Sequence, residues 1–331
     1  MRSPRLSVIV IVYDMARQAL NTLYSLSTAY QEGVNADDYE VIVVENRSER
    51  LMDADAIAAL PGNFRYILRD EPGVSPASAI NIAANEAKSD FLCLIIDGAR
   101  LVTPGVVRYA LEARAIDDDA LVLAPGYHLG ENQHGVHTSD NYSEEKEQQL
   151  LEKICWKRDG YRLFEISCIS GANRNGWFHP FMECNCLFLS RLVWNDIGGA
   201  DERFDLPGGG AMNLALYLHA AWHPRSRLFV LPGEGSFHQL HGGVTTSDVP
   251  EREKLLKQIS DQLHELLGER YMAPKLQPTL LGPVHASAFS FLGYSVERGL
   301  ELKERRANRG EPMYVEKHSK QLRHTPISRA D

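Results

Sequence analysis

No part of the 331-residue chain approaches the roughly 20 consecutive apolar residues that span a bilayer. The opening segment "MRSPRLSVIVIVYD" has an apolar run too short for a signal sequence with a cleavage site. The protein is therefore expected not to be integral to a membrane, with peripheral association left open. A basic excess is also missing. The net charge of −9 leaves no cationic face to neutralise a phosphate backbone, which argues against general nucleic-acid binding but not against one small anion in a local pocket. Cysteine is sparse and odd in number: Cys93, Cys155, Cys168, Cys184 and Cys186, with no zinc-type spacing. Cys93 sits inside an apolar run and reads as core. Cys184 and Cys186 share a face if their segment is a strand, and read as packing residues. Reduced thiols and a cytoplasmic setting are the simplest expectation. No internal repeat is visible.

What remains is ordinary soluble composition, 44% hydrophobic and 24% charged, at a length that suits one large or two modest domains. The first half alternates strand and helix patterns. "LSVIVIVY" and "YEVIVVEN" are continuous runs expected of strands buried on both faces, and "FRYILRD", "DFLCLIID" and "ALVLAP" follow as further strands. Between them, Asp14, Ser75 and Thr103 are placed to start helices, the last two followed by proline. This rhythm predicts a doubly wound, mostly parallel sheet. Ligands of such sheets bind beyond the carboxyl ends of the strands, which singles out Val12 to Asp14, Glu45 to Ser48 and Asp97 to Arg100.

From about Tyr127 to Phe178 the pattern loosens into a polar loop and one amphipathic helix, whose "SEEKEQQ" run reads as a solvated face. His134 and His137 lie in the polar loop and carry no specific expectation. Pattern returns with the strand "ECNCLFLS" and a short helix closed by Gly198 and Gly199. "RLFVLPGEGSFHQLHGG" reads as a strand and a loop, and "EREKLLKQISDQLHELLGERY" as an amphipathic helix. Little pattern follows Pro274, and the end "HSKQLRHTPISRAD" is expected to be mobile.

"SVIVIVYDMARQALNTLYSL", "YEVIVVENRS", "FLCLIIDGARLVTPG" and "LFLSRLVWNDIGGADERF" together resemble family 2 glycosyltransferases with the GT-A fold, over roughly residues 6 to 245. The resemblance implies a GT-A-like, Rossmann-like α/β domain with a C-terminal helical extension. Residues 1–125 would bind the nucleotide-sugar, 126–248 would hold the acceptor and catalytic groups, and 249–331 would form a helix and tail. The implied activity is transfer of a sugar from a nucleoside diphosphate sugar to a glycan or other hydroxyl acceptor, in bacterial glycan or polysaccharide biosynthesis. The oligomeric state stays open.

By the same resemblance, Val12 and Tyr13 line the nucleotide base, Glu45 contacts the base or ribose, and Asn81 lies beside the nucleotide. Asp97 matches the first acid of the family's metal-binding cluster. Gly98, Ala99 and Arg100 then stand where more acid is usual. A lone carboxylate holds a divalent metal poorly. His238 or His241 can complete the site, a donor set better suited to manganese than to magnesium. Alternatively, Arg100 neutralises the diphosphate directly.

The usual catalytic acid pair is also replaced, by Gly210, the last glycine of "PGGG", and Ala211. Three successive glycines there are expected to bring bare backbone N–H groups to a helix start, where an anion or sugar hydroxyl can bind. With "GEGSFHQLHGG", this run resembles a bacterial subgroup of such enzymes. A base must then come from elsewhere. Glu183 is the first candidate and Asp201 the second, with loop organisation the plainer role for Asp201. Trp177, Phe178 and His179 read either as an acceptor wall or as ordinary core. Two other classes stay open. One is a non-catalytic module binding nucleotide-sugar or glycan. The other is a nucleotidyltransferase, disfavoured because "VYDMARQ" lacks the glycine-rich loop of that class.

Overall fold

The fold is taken from a computed structural model that describes residues 3–70, 74–134, 142–241 and 249–317. His137 and the segment 318–331 lie outside the described residues. Strand β1 (Leu6–Val12) is buried along its whole length, as its unbroken apolar run requires. Its side chains alternate between two cores. Leu6, Val8, Val10 and Val12 enter one, Ile9 and Ile11 the other. Each such side chain contributes about 1.5–3 kcal/mol relative to exposure.

The remaining strands are β2 (Tyr39–Asn46), β3 (Phe64–Arg69), β4 (Phe91–Ile95), β5 (Arg100–Val102), β6 (Ala120–Leu123), β7 (Gly126–Leu129), β8 (Ser167–Ile169), β9 (Leu187–Ser190), β10 (Arg227–Val230), β11 (Ser236–His238) and β12 (Thr279–Leu280). Seven of them join β1 in one sheet of eight strands, in the order β12-β10-β6-β9-β4-β1-β2-β3. All its pairings are parallel except those of β9 with β4 and β6. The result is the expected α/β class, a mostly parallel sheet flanked by helices. Strands from 1–125 and from 126–248 interleave in it.

The helices are α1 (Ala16–Ser25), α2 (Ala54–Ala58), α3 (Ala77–Glu86), α4 (Val106–Ile116), α5 (Glu144–Ile154), α6 (Arg191–Asp196), α7 (Met212–Trp222), α8 (Val249–Leu267) and α9 (Phe289–Ala307). α1, α2 and α4 cover one face of the sheet. α3, α6, α7 and part of α8 cover the other. α9 was not legible in the sequence. Much of it is exposed, with Ser295, Gly299, Leu302 and Arg306 its buried positions, so its apolar stripe is thin.

A second sheet, β5-β11-β7-β8, hangs from the carboxyl side of the first. Its register sets two rows. Leu101, Phe237 and Tyr127 are direct neighbours on one face, and Arg100, His238 and His128 on the other. The first row is fully buried, with Tyr127 and Phe237 packed on Phe164. The second row faces the opposite way, toward the main sheet's carboxyl rim. These strands of three or four residues are too short to show a period in sequence.

Several local expectations are corrected. Asp14 does not cap α1. It adopts a left-handed conformation (φ 52°) and forms an ion pair with Arg50 at 3.0 Å. Thr103 does not start α4 directly, because Gly105 is its N-cap and the Thr103 hydroxyl donates to buried Glu234. Ser75 sits one residue before the N-cap Pro76, and its hydroxyl accepts from the Ala77 N–H. Cys184 and Cys186 enter opposite cores, because regular strand begins only at Leu187. Glu147, in the run read as solvated, is fully buried.

Trp177, Phe178 and His179 do not form a wall of the cleft. Trp177 is core and donates to the Tyr127 hydroxyl, Phe178 packs near Gly299 of α9, and His179 bonds the Arg298 carbonyl. Among the described residues no helix is long and apolar enough to cross a membrane.

Candidate active site

The carboxyl ends of β1, β2 and β4 open onto a cleft of about 690 Å³, a volume typical of small-ligand sites. Tyr13, Asn46, Asp97 and Arg100 line its strand side. His128, His134, His238 and His241 line it from the second sheet and its turns. Glu183 and Asn185 precede β9, Gly208 and Gly210 precede α7, and Arg252, Leu256 and Ile259 reach in from α8.

Asp97 is the centre of the polar constellation. Its Oδ2 lies 2.9 Å from His238 Nε2, its Oδ1 lies 3.6 Å from His241 Nε2, and the two Nε2 atoms are 3.1 Å apart. Burial alone would raise the Asp97 pKa, but His238 and His241 outweigh it and hold the carboxyl well below the usual range. Burial pushes His238 down to about 4, whereas at His241 the Asp97 charge outweighs burial and raises the pKa. Gly98 is needed beside this carboxylate, since a Cβ there would fall 2.7 Å from the Ile11 carbonyl oxygen.

Arg100 is almost fully buried, with Nε 3.6 Å from Asp97 Oδ2, and that Nε has no hydrogen-bond partner among the described residues. An orphaned guanidinium donor facing a cleft is ready for an anionic oxygen. Asn46 Oδ1 is likewise buried and unpartnered at the end of β2.

The segment carrying His241 is held from three sides. Gln18 donates to the Leu240 carbonyl at 2.7 Å, Asn21 donates to the Gln239 side chain at 2.9 Å, and the Leu240 N–H donates to Glu147 at 2.7 Å. Burial pushes the Glu147 carboxyl up to about 7. On the opposite wall Glu183 accepts from the side chains of Asn213 and Asn185. Burial raises its pKa, against the pull of Arg100 and those two amides.

Asp97, Arg100, His238, His241, Glu183 and Tyr13 are thus brought to one cleft, while four other candidates stand off it. Glu45 is fully buried; both its oxygens accept from the Met52 N–H at 3.1 Å, and one also accepts from the Tyr66 hydroxyl. It braces the turn after β2, and its neighbour Asn46 faces the cleft instead. Asn81 binds the backbone of Ala200 and the Glu202 side chain, tying α3 to the loop after α6. Asp201 is held by Arg203, a loop-organising pair. Val12 points into core, flanked by Ile11 and Tyr13 in the cleft.

His128 and His134 went unrecognised in the sequence as parts of the site. His134 is buried, its Nδ1 lies 3.2 Å from His238 Nδ1, and burial pushes its pKa down to about 3. The alternation of "GYHL" places His128 on the face opposite Tyr127, but only the pairing of β7 with β11 brings it to His238.

All three glycines of "PGGG" have positive φ: 70°, 78° and 53° at Gly208, Gly209 and Gly210. The expectation of bare N–H groups is corrected at two of them, since Gly208 donates to the Val74 carbonyl and Gly209 to that of Leu206. The glycines are present for conformation and close approach, because a Cβ on Gly209 would lie 2.8 Å from Pro76 Cδ. Gly209→Ala is expected to cost at least about 1–2 kcal/mol from the left-handed backbone alone. Urea unfolding of the two proteins checks this; equal stability would refute it.

This is the site of a doubly wound α/β ligand-binding domain, at the rim where such sheets take their ligands. Residues 7–179, more than half of the chain, match the family model described as Glycosyl transferase family 2, and the chain belongs to that family. Its fold is accordingly GT-A. Asp97, Arg100, His128 and His134 fall inside the matched residues, whereas Glu183, His238 and His241 fall beyond them.

Solved structures of S. aureus TarS are similar at low identity. One shares 14% identity at TM-score 0.48, covering 89% of this chain and 43% of that one. The 1–349 fragment in complex with UDP-GlcNAc shares 14% at TM-score 0.48, covering 90% of this chain and 73% of that one. The same fragment with UDP shares 14% at TM-score 0.46, covering 90% and 72%. The chain thus spans less than half of the first of these TarS structures. No curated protein matches the sequence.

Proposed function

We propose that the cleft binds a nucleoside diphosphate sugar and transfers its sugar to an acceptor hydroxyl. The observation that carries this reading is the convergence of Asp97, Arg100, His238, His241 and Glu183 on one cleft in a chain of this family. Tyr13, exposed at the end of β1, offers a ring for the nucleotide base. Asn46 Oδ1 offers an acceptor to base or ribose. Glu45 and Asn81 support those walls from behind, and Asp201 keeps its loop in place.

The donor set fits a divalent cation. One carboxylate and two imidazoles place ligand atoms within 4.8 Å of one another, and His238 Nε2 faces a carboxylate oxygen directly. Oxygen and nitrogen ligands in this mixture favour manganese or a neighbouring first-row ion over magnesium. Such an ion, held by Asp97, His238 and His241, would neutralise the diphosphate. Arg100 adds N–H donors to the same leaving group.

The transfer itself is direct displacement. The acceptor oxygen bonds to the anomeric carbon as the bond from that carbon to the phosphate oxygen breaks. Glu183 takes the acceptor's proton. A carboxylate with a raised pKa holds that proton better than an ordinary one, and Asn213 and Asn185 keep it oriented. The acid pair usual in this family is replaced by Gly210 and Ala211, so this base would act alone.

The test is a transfer and hydrolysis assay over a panel of uridine, guanosine, thymidine and adenosine diphosphate sugars, with and without manganese. Turnover of one donor is the expected result. Binding of a nucleoside diphosphate without turnover of any donor would favour the non-catalytic module. No binding of any of them would overturn both readings.

A further inference from the structure

The side chains behind the cleft offer the proton of His238 a partner on the side away from Asp97. The Leu129 carbonyl can only accept, and His134 Nε2 approaches it at 2.8 Å. The single proton of a neutral His134 therefore sits on Nε2, leaving Nδ1 as an acceptor. That Nδ1 lies 3.2 Å from His238 Nδ1. Two acceptors do not bond, so a hydrogen bond between these atoms takes His238 Nδ1 as its donor.

A neutral His238 then has a bare Nε2, the atom that faces Asp97 at 2.9 Å and His241 at 3.1 Å. Asp97 Oδ2, at 2.9 Å, competes for the His238 proton on the Nε2 side; an ion held by Asp97 and Nε2 removes that option, and His134 Nδ1 is then the acceptor left for the proton. His134 is itself fixed: it is 6% exposed, and its ring centroid packs 4.9 Å from His128 and 5.4 Å from Tyr142.

We propose that His134 is a positioning residue that, oriented by the Leu129 carbonyl, gives His238 Nδ1–H its acceptor and so favours the tautomer whose Nε2 is free for a divalent metal. This inference rests on the reading of Asp97, His238 and His241 as the metal ligands. His134 acts only through His238, as outer partners of ligating histidines do.

Two measurements on the full chain test it. The first is imidazole nitrogen NMR of the zinc-loaded protein, with His238 assigned by its replacement. A protonated Nδ1 on His238 is expected, and a protonated Nε2 with bare Nδ1 would overturn the proposal. The second is manganese binding without nucleotide, followed by the EPR signal of free ion. His134→Ala should weaken binding roughly 10- to 100-fold, and His134→Gln, which restores an acceptor, should recover part of it.

Equal affinity in folded wild type and His134→Ala would overturn the proposal while leaving the metal reading intact. If wild type itself binds no divalent ion, the metal reading fails and this inference with it, whatever the NMR shows. The Nδ1 atoms of His134 and His238 also belong to a second cluster with His128. Binding of a second cobalt equivalent that His128→Ala abolishes would place an ion where the proposal puts a proton, and would overturn it.

Discussion

Asp97→Asn should lower kcat/KM for the nucleotide-sugar donor by roughly 10²–10³-fold, the scale seen when a preorganised charge-stabilising group is removed from an active site. The change preserves shape, and an amide Oδ1 can still accept from the Ala99 N–H, as the carboxylate does at 3.1 Å. What disappears is the charge that sits against His238, His241 and Arg100. Manganese affinity should fall with activity, while thermal unfolding confirms a folded variant. Near wild-type kcat/KM at saturating manganese would remove Asp97 from the mechanism and leave Arg100 as the sole partner of the diphosphate.

Glu183→Gln should leave donor binding intact and reduce kcat by roughly 10²–10⁴-fold, the usual contribution of a positioned base. The sign of the pH effect follows from its environment. A base works deprotonated, so the rate falls as pH drops through its pKa. Burial raises that pKa above the ordinary 4.5, so the fall begins at higher pH than for an exposed glutamate. Glu183→Gln should lack this limb. A variant that keeps both its kcat and the limb would place the base elsewhere.

The centre of the main sheet was legible because β1 and β2 are long, continuous and covered on both faces; "LSVIVIV" and "YEVIVVEN" can hardly be anything else. The strand-end rule then located Tyr13, Asp97 and Arg100 without any tertiary information. It was less selective than it looked at Glu45. The strand end was the right place to look, but side chains alternate there, and Asn46 rather than Glu45 faces the cleft. Glu147 was misread for a related reason. A charged run on a helix has one inward face, and here that face meets the backbone of Leu240. His134 lay in a polar loop with no period at all. Its role comes from contact with His238, 104 residues away, and no local pattern carries that.

Arg100, His238 and His128 stand abreast across three strands although the chain visits them far apart. Neighbouring positions in those strands turn opposite ways, so the arrangement depends on counting. One residue added to the turn between β10 and β11 would roll Phe237 into the solvent-lined polar space and send His238 among the aromatic rings around Phe164. The protein would retain its main sheet and lose its chemistry. The spacing of that turn is therefore as much a component of the active centre as any side chain within it.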